Sequence, residues 1–135
     1  MSHSDATLRD RTALAAEVLV TYGQVRWSVR RRDLPTVVAA LRASQPRHAP
    51  CGPLDADDRR LAAAAVRVLE RLPGDSRCLT RSLVVLAMLA RRGVDVRLVL
   101  AARPTPTFSA HAWIERRGRP LLPTREFDDA RLAEL

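Results

Sequence analysis

The sequence contains no lysine and no asparagine, and all 23 basic residues among its 135 are arginine. Without lysine the chain cannot form a Schiff base or supply a phosphate-loop lysine. Its five glycines form neither a G-x-G-x-x-G dinucleotide loop nor a G-x-S-x-G nucleophile elbow. Its three histidines and two cysteines include no pair at zinc-ligand spacing. We therefore expect neither a metal site nor a cofactor.

Long apolar runs are also absent. A run such as 83–90 is far shorter than the roughly 20 residues of a membrane-spanning helix. Residues 1–10 are polar and carry both charge signs, unlike a signal peptide, and two cysteines do not make a disulfide framework. The length and the 47% hydrophobic content suit one cored domain over 1–135. We therefore expect a cytoplasmic protein without a membrane span.

The formal net charge of +8 points to nucleic acid or an acidic protein as a partner. Aromatic residues make up only 4% of the chain, which leaves few side chains for base stacking. Arginine in place of lysine, together with abundant alanine, is typical of a GC-rich genome and a solvated surface. We expect no nucleic-acid partner, but a basic helical adaptor without catalysis remains the alternative function.

The first part of the chain, 1–73, has helical periodicity. A first helix over about 6–21 ends before Gly23, and its apolar stripe consists of Leu8, Ala15, Ala16, Leu19 and Val20. A short helix over 34–41 carries Pro35 in its first turn. A proline-containing loop follows over 44–56 and includes Cys51, and a third helix runs from 57 to 72.

The second part, 74–135, has a different pattern. A helix from Cys78 to about Arg92 is apolar around most of its circumference, which predicts a central helix packed on more than one side. Alternating residues then predict strands over 94–100, 108–116 and 119–122, and a tail that is a short helix or irregular. The order predicts an α+β fold with a small antiparallel meander.

Cys78 and His111 are the candidate catalytic residues. Cys78 lies in the first turn of the central helix, where free backbone N–H groups and the helix dipole favour a thiolate nucleophile. An antiparallel strand beside that helix could bring His111, the only histidine in a predicted strand, to the cysteine. On these residues alone, a structural cysteine and a hydrogen-bonded core histidine remain open.

Four segments of the second part carry the most specific sequence pattern: C-L-T-R-S-L-V-V-L-A-M-L-A-R-R-G (78–93), V-R-L-V-L (96–100), F-S-A-H-A-W-I-E (108–115) and G-R-P-L-L (118–122). Together they resemble the leader peptidases of lasso-peptide biosynthesis, which belong to the transglutaminase-like cysteine protease superfamily. The resemblance implies a Cys78–His111 peptidase that cuts the leader from a ribosomally made precursor peptide. It also implies an ATP-dependent cyclase as a partner, and a leader-recognition domain that is either fused ahead of the peptidase or a separate protein. Because 1–73 has helical periodicity without a strand-rich pattern, we expect a separate leader-recognition protein.

The resemblance further implies a third residue that orients the histidine, from the strand that follows it. Its simplest position falls near 122–123, where the sequence has no acid. We predict Asp128, ahead of Asp129 and Glu126, with Asp75 as a rival whose place is already explained by helix capping. Glu115 shares a strand face with His111, but it is about 13 Å away along the strand, too far for direct contact.

Overall fold

A computed structural model describes residues 3–43, 56–73, 78–103, 109–122 and 130–135. These residues form four helices and four strands, and the predicted α+β class is confirmed. In chain order the elements are α1 (His3–Arg31), α2 (Leu34–Ala43), α3 (Ala56–Glu70), α4 (Cys78–Arg91), β1 (Arg97–Arg103), β2 (Ser109–Arg116), β3 (Arg119–Pro120) and β4 (Ala130–Glu134). None of the described helices is long and apolar enough to cross a membrane.

Helix α4 is the centre of the fold, as its sequence predicts. Every residue from Ser82 to Ala90 is buried, so the helix has no solvent-facing side over these two turns. It contacts α1, α2 and α3 as well as strands β1 and β2. A helix that is apolar all round must be covered all round, and here helices and the sheet together provide that cover.

The end of α4 sets the start of β1. Gly93 has a φ of 78°, and its N–H donates to the carbonyl of Ala90 at 3.0 Å. The N–H of Val94 donates to the carbonyl of Leu89 at 3.0 Å, which completes a Schellman cap. Because Val94 is committed to closing the helix, β1 begins at Arg97, three residues later than predicted.

Helix α1 is longer than predicted and buries a different face. It continues through Gly23 to Arg31, so the predicted end near residue 21 is wrong. The predicted stripe is also wrong, because Leu8 and Val20 are each 61% exposed while Val18 and Val25 are fully buried. Glycine lowers helix stability by only about 1 kcal/mol, and packing of the Val18–Val25 face outweighs that cost.

Arg91, the last residue of α4, and Arg92, which follows it, bind Glu17 of α1. The Glu17 carboxylate accepts hydrogen bonds from Arg92 at 2.8 and 2.9 Å and from Arg91 at 3.3 Å, and Arg91 also donates to the Thr21 hydroxyl at 2.6 Å. The Arg92 hydrogen bond is the main reason that the pKa of Glu17 lies below its usual 4.5, although partial burial opposes the shift.

This pKa shift predicts a pH-dependent contribution to folding. A lowered folded-state pKa stabilises the protein above the unfolded value near 4.5, and this stabilisation is lost as the pH falls through the folded value. We therefore expect Glu17→Gln to lower the free energy of unfolding by about 1 kcal/mol at pH 7, with the difference disappearing in acid. Urea unfolding of both proteins from pH 3 to 7 measures this. Glu70→Gln is the control, because its ion pair with Arg81 is longer, at 3.7 Å, and more exposed; a pH-independent Glu17→Gln effect would contradict the prediction.

The four strands form an antiparallel sheet in the order β3-β2-β1-β4. Strands β1 and β2 pair along their length, and His111 stands opposite Ala101. Arg117, with a φ of 51°, and Gly118, with a φ of 76°, make the predicted turn into β3. Leu98, Ala112 and Ile114 belong to the core that contains α4, so one face of the sheet packs against the helices.

The end of the chain forms a strand, which corrects the predicted short helix or irregular tail. Strand β4 pairs with the outer edge of β1, and Leu135 exchanges two hydrogen bonds of 2.8 Å with Leu98. The sheet therefore has four strands and is not a simple three-stranded meander. Pairing with β4 satisfies N–H and C=O groups along this edge of β1, and this long-range contact outweighs the weak local pattern of residues 130–134.

Candidate active site

A pocket of about 370 Å³ lies where α3, α4 and β2 meet. Cys78 and His111 both line it, so the structure brings the two predicted residues to one cavity. Most of the remaining wall is apolar: Ala63, Val66, Val85, Ala112, Trp113, Ile114 and Leu122. The rest of the lining is polar and consists of Ser82 and the ion pair of Arg81 with Glu70, whose nearest atoms are 3.7 Å apart. A mostly apolar pocket with a few polar groups is typical of a ligand or substrate site.

Cys78 is the first residue of α4, and its thiol is free and half-buried. The first turn of a helix has backbone N–H groups without intrahelical partners, and the helix dipole is positive there. No acidic residue lies in the first turn of α4 to oppose this field. A helix start of this kind can bind a negatively charged oxygen beside the sulfur.

Ser82 connects the first part of α4 to β2, the strand that carries His111. Its hydroxyl donates to the carbonyl of Ala112 at 3.2 Å in a buried position, and Ala112 is the neighbour of His111. Ser82 follows Cys78 by four residues and so lies on the same side of the helix. This hydrogen bond fixes the position of β2 along the axis of α4, next to the helical turn that carries Cys78. Sequence reasoning missed this role, although the serine is part of the C-L-T-R-S-L segment.

The ring of His111 packs against the indole of Trp113, with ring centroids 5.8 Å apart and planes inclined at 31°. The indole N–H of Trp113 donates to the Glu115 carboxylate at 2.7 Å. All three side chains project from the same face of β2, as the alternation predicts. Glu115 therefore connects to His111 through the intervening tryptophan.

Glu115 is 4% exposed and is held from a second strand. Arg131 of β4 donates to both its oxygens, at 2.9 and 3.3 Å, and also to Glu134 at 2.9 Å. The Arg131 guanidinium lies 5.9 Å from the centre of the Trp113 ring. A buried carboxylate requires such partners, and here they fix the indole that packs on His111.

The other candidate residues lie outside the described part of the chain. These are Asp128, predicted as the third catalytic residue, its alternatives Asp129, Glu126 and Asp75, and the second cysteine, Cys51. The third residue therefore stays a prediction. Within the described ranges, no three His, Cys, Asp or Glu residues converge as a possible metal site.

These features define an α+β domain with a cysteine at the start of its central helix and a histidine on the adjacent strand. A family model described as the transglutaminase-like superfamily matches residues 19–132, and the chain belongs to that superfamily. Its domains are typically cysteine-based enzymes, either transferases or peptidases. No curated protein and no solved structure matches the chain.

Proposed function

We propose that this protein is a cysteine peptidase that removes the leader from a ribosomally synthesised lasso-peptide precursor. The observation that supports it most is the pocket shared by Cys78 and His111 in a transglutaminase-like domain. The choice of a lasso-peptide precursor rests on the resemblance of residues 78–83 and 110–115 to the leader peptidases. No cofactor is required.

The reaction has two steps. The Cys78 thiolate attacks the carbonyl at the leader–core junction, and His111 gives a proton to the leaving amine of the core peptide. A thioester then joins Cys78 to the leader. His111 next takes a proton from water, whose oxygen attacks the thioester and releases the leader as a free acid and Cys78 as a thiolate.

Two further groups complete this mechanism. The backbone N–H of Cys78, at the start of α4, is the first donor to the oxyanion that forms in each step. Asp128 is the carboxylate that accepts a hydrogen bond from the far nitrogen of His111 and stabilises its charged form.

The enzyme works in the cytoplasm with two partner proteins. A separate leader-recognition protein brings the precursor, because a domain of this size has little surface left to hold a long leader. An ATP-dependent cyclase then uses the free core N-terminus.

Incubation of the protein with a candidate precursor and its recognition protein tests the proposal by mass spectrometry. We expect two products, a core peptide with a free amine and a leader with a free carboxylic acid, and much slower cleavage without the recognition protein. A leader joined to an added amine would identify an acyltransferase instead. Rapid cleavage by this chain alone at micromolar precursor would contradict the need for a partner.

Within this function, Glu115 and Trp113 position His111. The Trp113 N–H bond to Glu115 sets the angle of the indole, and the indole packs against the His111 ring. A histidine that must donate and accept protons depends on its orientation, so a small rotation of the ring lowers the rate.

We expect Glu115→Gln to lower kcat about tenfold with a smaller change in KM, because the carboxamide loses the charged bonds to Arg131. Trp113→Phe should have a similar effect, and the double variant should be little worse, because the two residues act through one path. Steady-state cleavage kinetics measure this. Glu134→Gln is the matched control, since Glu134 binds the same arginine, and equal losses in both glutamine variants would show a purely structural effect.

A further inference from the structure

Helix α1 has an apolar side that points away from the core. Ala16, Leu19, Val20, Gly23 and Trp27 follow one another at helical spacing, and we call them the outer face. Leu19 is 45%, Val20 61% and Trp27 53% exposed. Single exposed apolar side chains are ordinary on protein surfaces, but a continuous row of them that includes a tryptophan is typical of a binding surface.

Arginines border the outer face. Arg30 and Arg31, three and four residues after Trp27, are both exposed, and the Arg31 guanidinium lies 4.9 Å from the centre of the indole ring. Arg26 is also exposed, but it donates a hydrogen bond of 3.0 Å to the Tyr22 hydroxyl. Between residues 16 and 31 the only acid is Glu17, which is bound to Arg92 just after the end of α4. The surface is therefore apolar along its middle and positive at its border.

Gly23 lies in the middle of the outer face, and the fold of the chain does not require a glycine there. A Cβ at this position would meet no atom within 4 Å, and glycine in a helix interior costs about 1 kcal/mol relative to alanine. Neither packing nor backbone conformation therefore requires a glycine. The missing side chain leaves a notch between Val20 and Trp27, and such a notch allows another backbone to approach closely.

We propose that the outer face binds an acidic amphipathic helix of a partner protein. The apolar side of that helix packs on Val20 and Trp27, its backbone passes over Gly23, and its carboxylates pair with the bordering arginines. A second copy of this chain fits poorly, because it brings the same arginines and a formal net charge of +8. This proposal rests on the proposed function, because the partner that it implies is the leader-recognition protein.

The test uses a synthetic helical peptide that has leucines on one side and glutamates beside them, together with a second peptide that has lysines in place of the glutamates. We expect calorimetry with the full chain to detect the glutamate peptide and not the lysine peptide, with binding weakened by added salt. Trp27→Glu and Gly23→Leu should each weaken binding at least about tenfold.

Two variants serve as controls. Leu132→Glu should bind the glutamate peptide like the wild type, because Leu132 is 68% exposed but lies on β4. Cys78→Ala should also bind normally, so a failure of the peptidase function and a failure of this surface are distinguishable. Gly23→Ala should raise the melting temperature, which would confirm that the fold does not require the glycine.

Three results would overturn the proposal. The first is equal binding of both peptides, or of the glutamate peptide by Trp27→Glu. The second is a dimer in ultracentrifugation that Trp27→Glu disrupts, which would make a second copy the occupant. The third is displacement of the peptide by random-sequence DNA whose own binding is lost in Trp27→Glu and Gly23→Leu, which would make nucleic acid the ligand.

Discussion

Replacing Cys78 with alanine is expected to reduce leader removal below one hundredth of the wild-type rate, and His111→Ala should do the same. Loss of a nucleophile or of its general base commonly costs about 10⁴-fold or more, because each is needed in both steps. Neither substitution removes a residue from the fully buried core, since both side chains are only half-buried. Single-turnover cleavage followed by mass spectrometry measures the loss, and thermal melting confirms that the fold is retained.

Other nucleophiles provide the controls. Ser82 also lines the pocket, but its hydroxyl is bonded to the Ala112 carbonyl, so it cannot substitute for the thiol. Cys51→Ala should keep full activity. Cleavage by Cys78→Ala above one hundredth of wild type would contradict the assignment of the nucleophile.

Alkylation by iodoacetamide near pH 6 tests the thiol without a substrate. We expect Cys78 to react faster than Cys51, because Cys78 shares its pocket with a histidine that can take the thiol proton, and only the thiolate is nucleophilic. Equal slow labelling of both cysteines would remove the physical basis of catalysis and favour the basic adaptor.

The sequence predicts those elements in which local residue patterns and tertiary packing favour the same structure. The cations and glycine at 91–93 predict the end of α4, and its apolar circumference predicts its central place, because a fully apolar helix has only one favourable environment. Alternation predicts that His111, Trp113 and Glu115 share a face of β2, because the side-chain period of a strand is two.

Elements that depend on distant partners were not predictable in this way. The buried face of α1 includes Thr21, whose hydroxyl accepts from Arg91 on α4, and no local pattern identifies that partner. Residues 130–134 form a strand by pairing with the outer edge of β1, and that partner lies about 30 residues earlier in the chain. Local propensity is a weak determinant where tertiary contacts decide the outcome.

The candidate site likewise has one part that local sequence patterns predict and one part that depends on distant contacts. The helix-start cysteine and the strand histidine follow from local pattern and from resemblance. The connection from His111 through Trp113 to Glu115 does not, because it depends on a hydrogen bond along one strand and on Arg131 from another. The distance between His111 and Glu115 along the strand excludes direct contact, but Trp113 lies between them and contacts both side chains.

The position of β4 bears on the third catalytic residue. Ala101 pairs with His111 on one side and with Arg131 on the other, so Arg131 is level with the histidine, two strand spacings or about 10 Å away. Asp128 precedes Arg131 by three residues in the sequence, and three extended residues span at most about 10 Å. The length of chain between Arg131 and Asp128 therefore matches this separation, and Asp128 stays the predicted third residue.

We expect Asp128→Asn to lower kcat by about two orders of magnitude or more, because an amide cannot stabilise the charged form of His111 as a carboxylate does. Asp129→Asn and Asp75→Asn are the matched controls, since each makes the same chemical change at a rival position, and both should keep most of the activity. Cleavage kinetics at saturating precursor, with thermal melting of each variant, measure the effect. Full activity in Asp128→Asn with loss in Asp75→Asn would move the assignment to the residues ahead of α4, where the carboxylate would approach His111 from the side of the nucleophile.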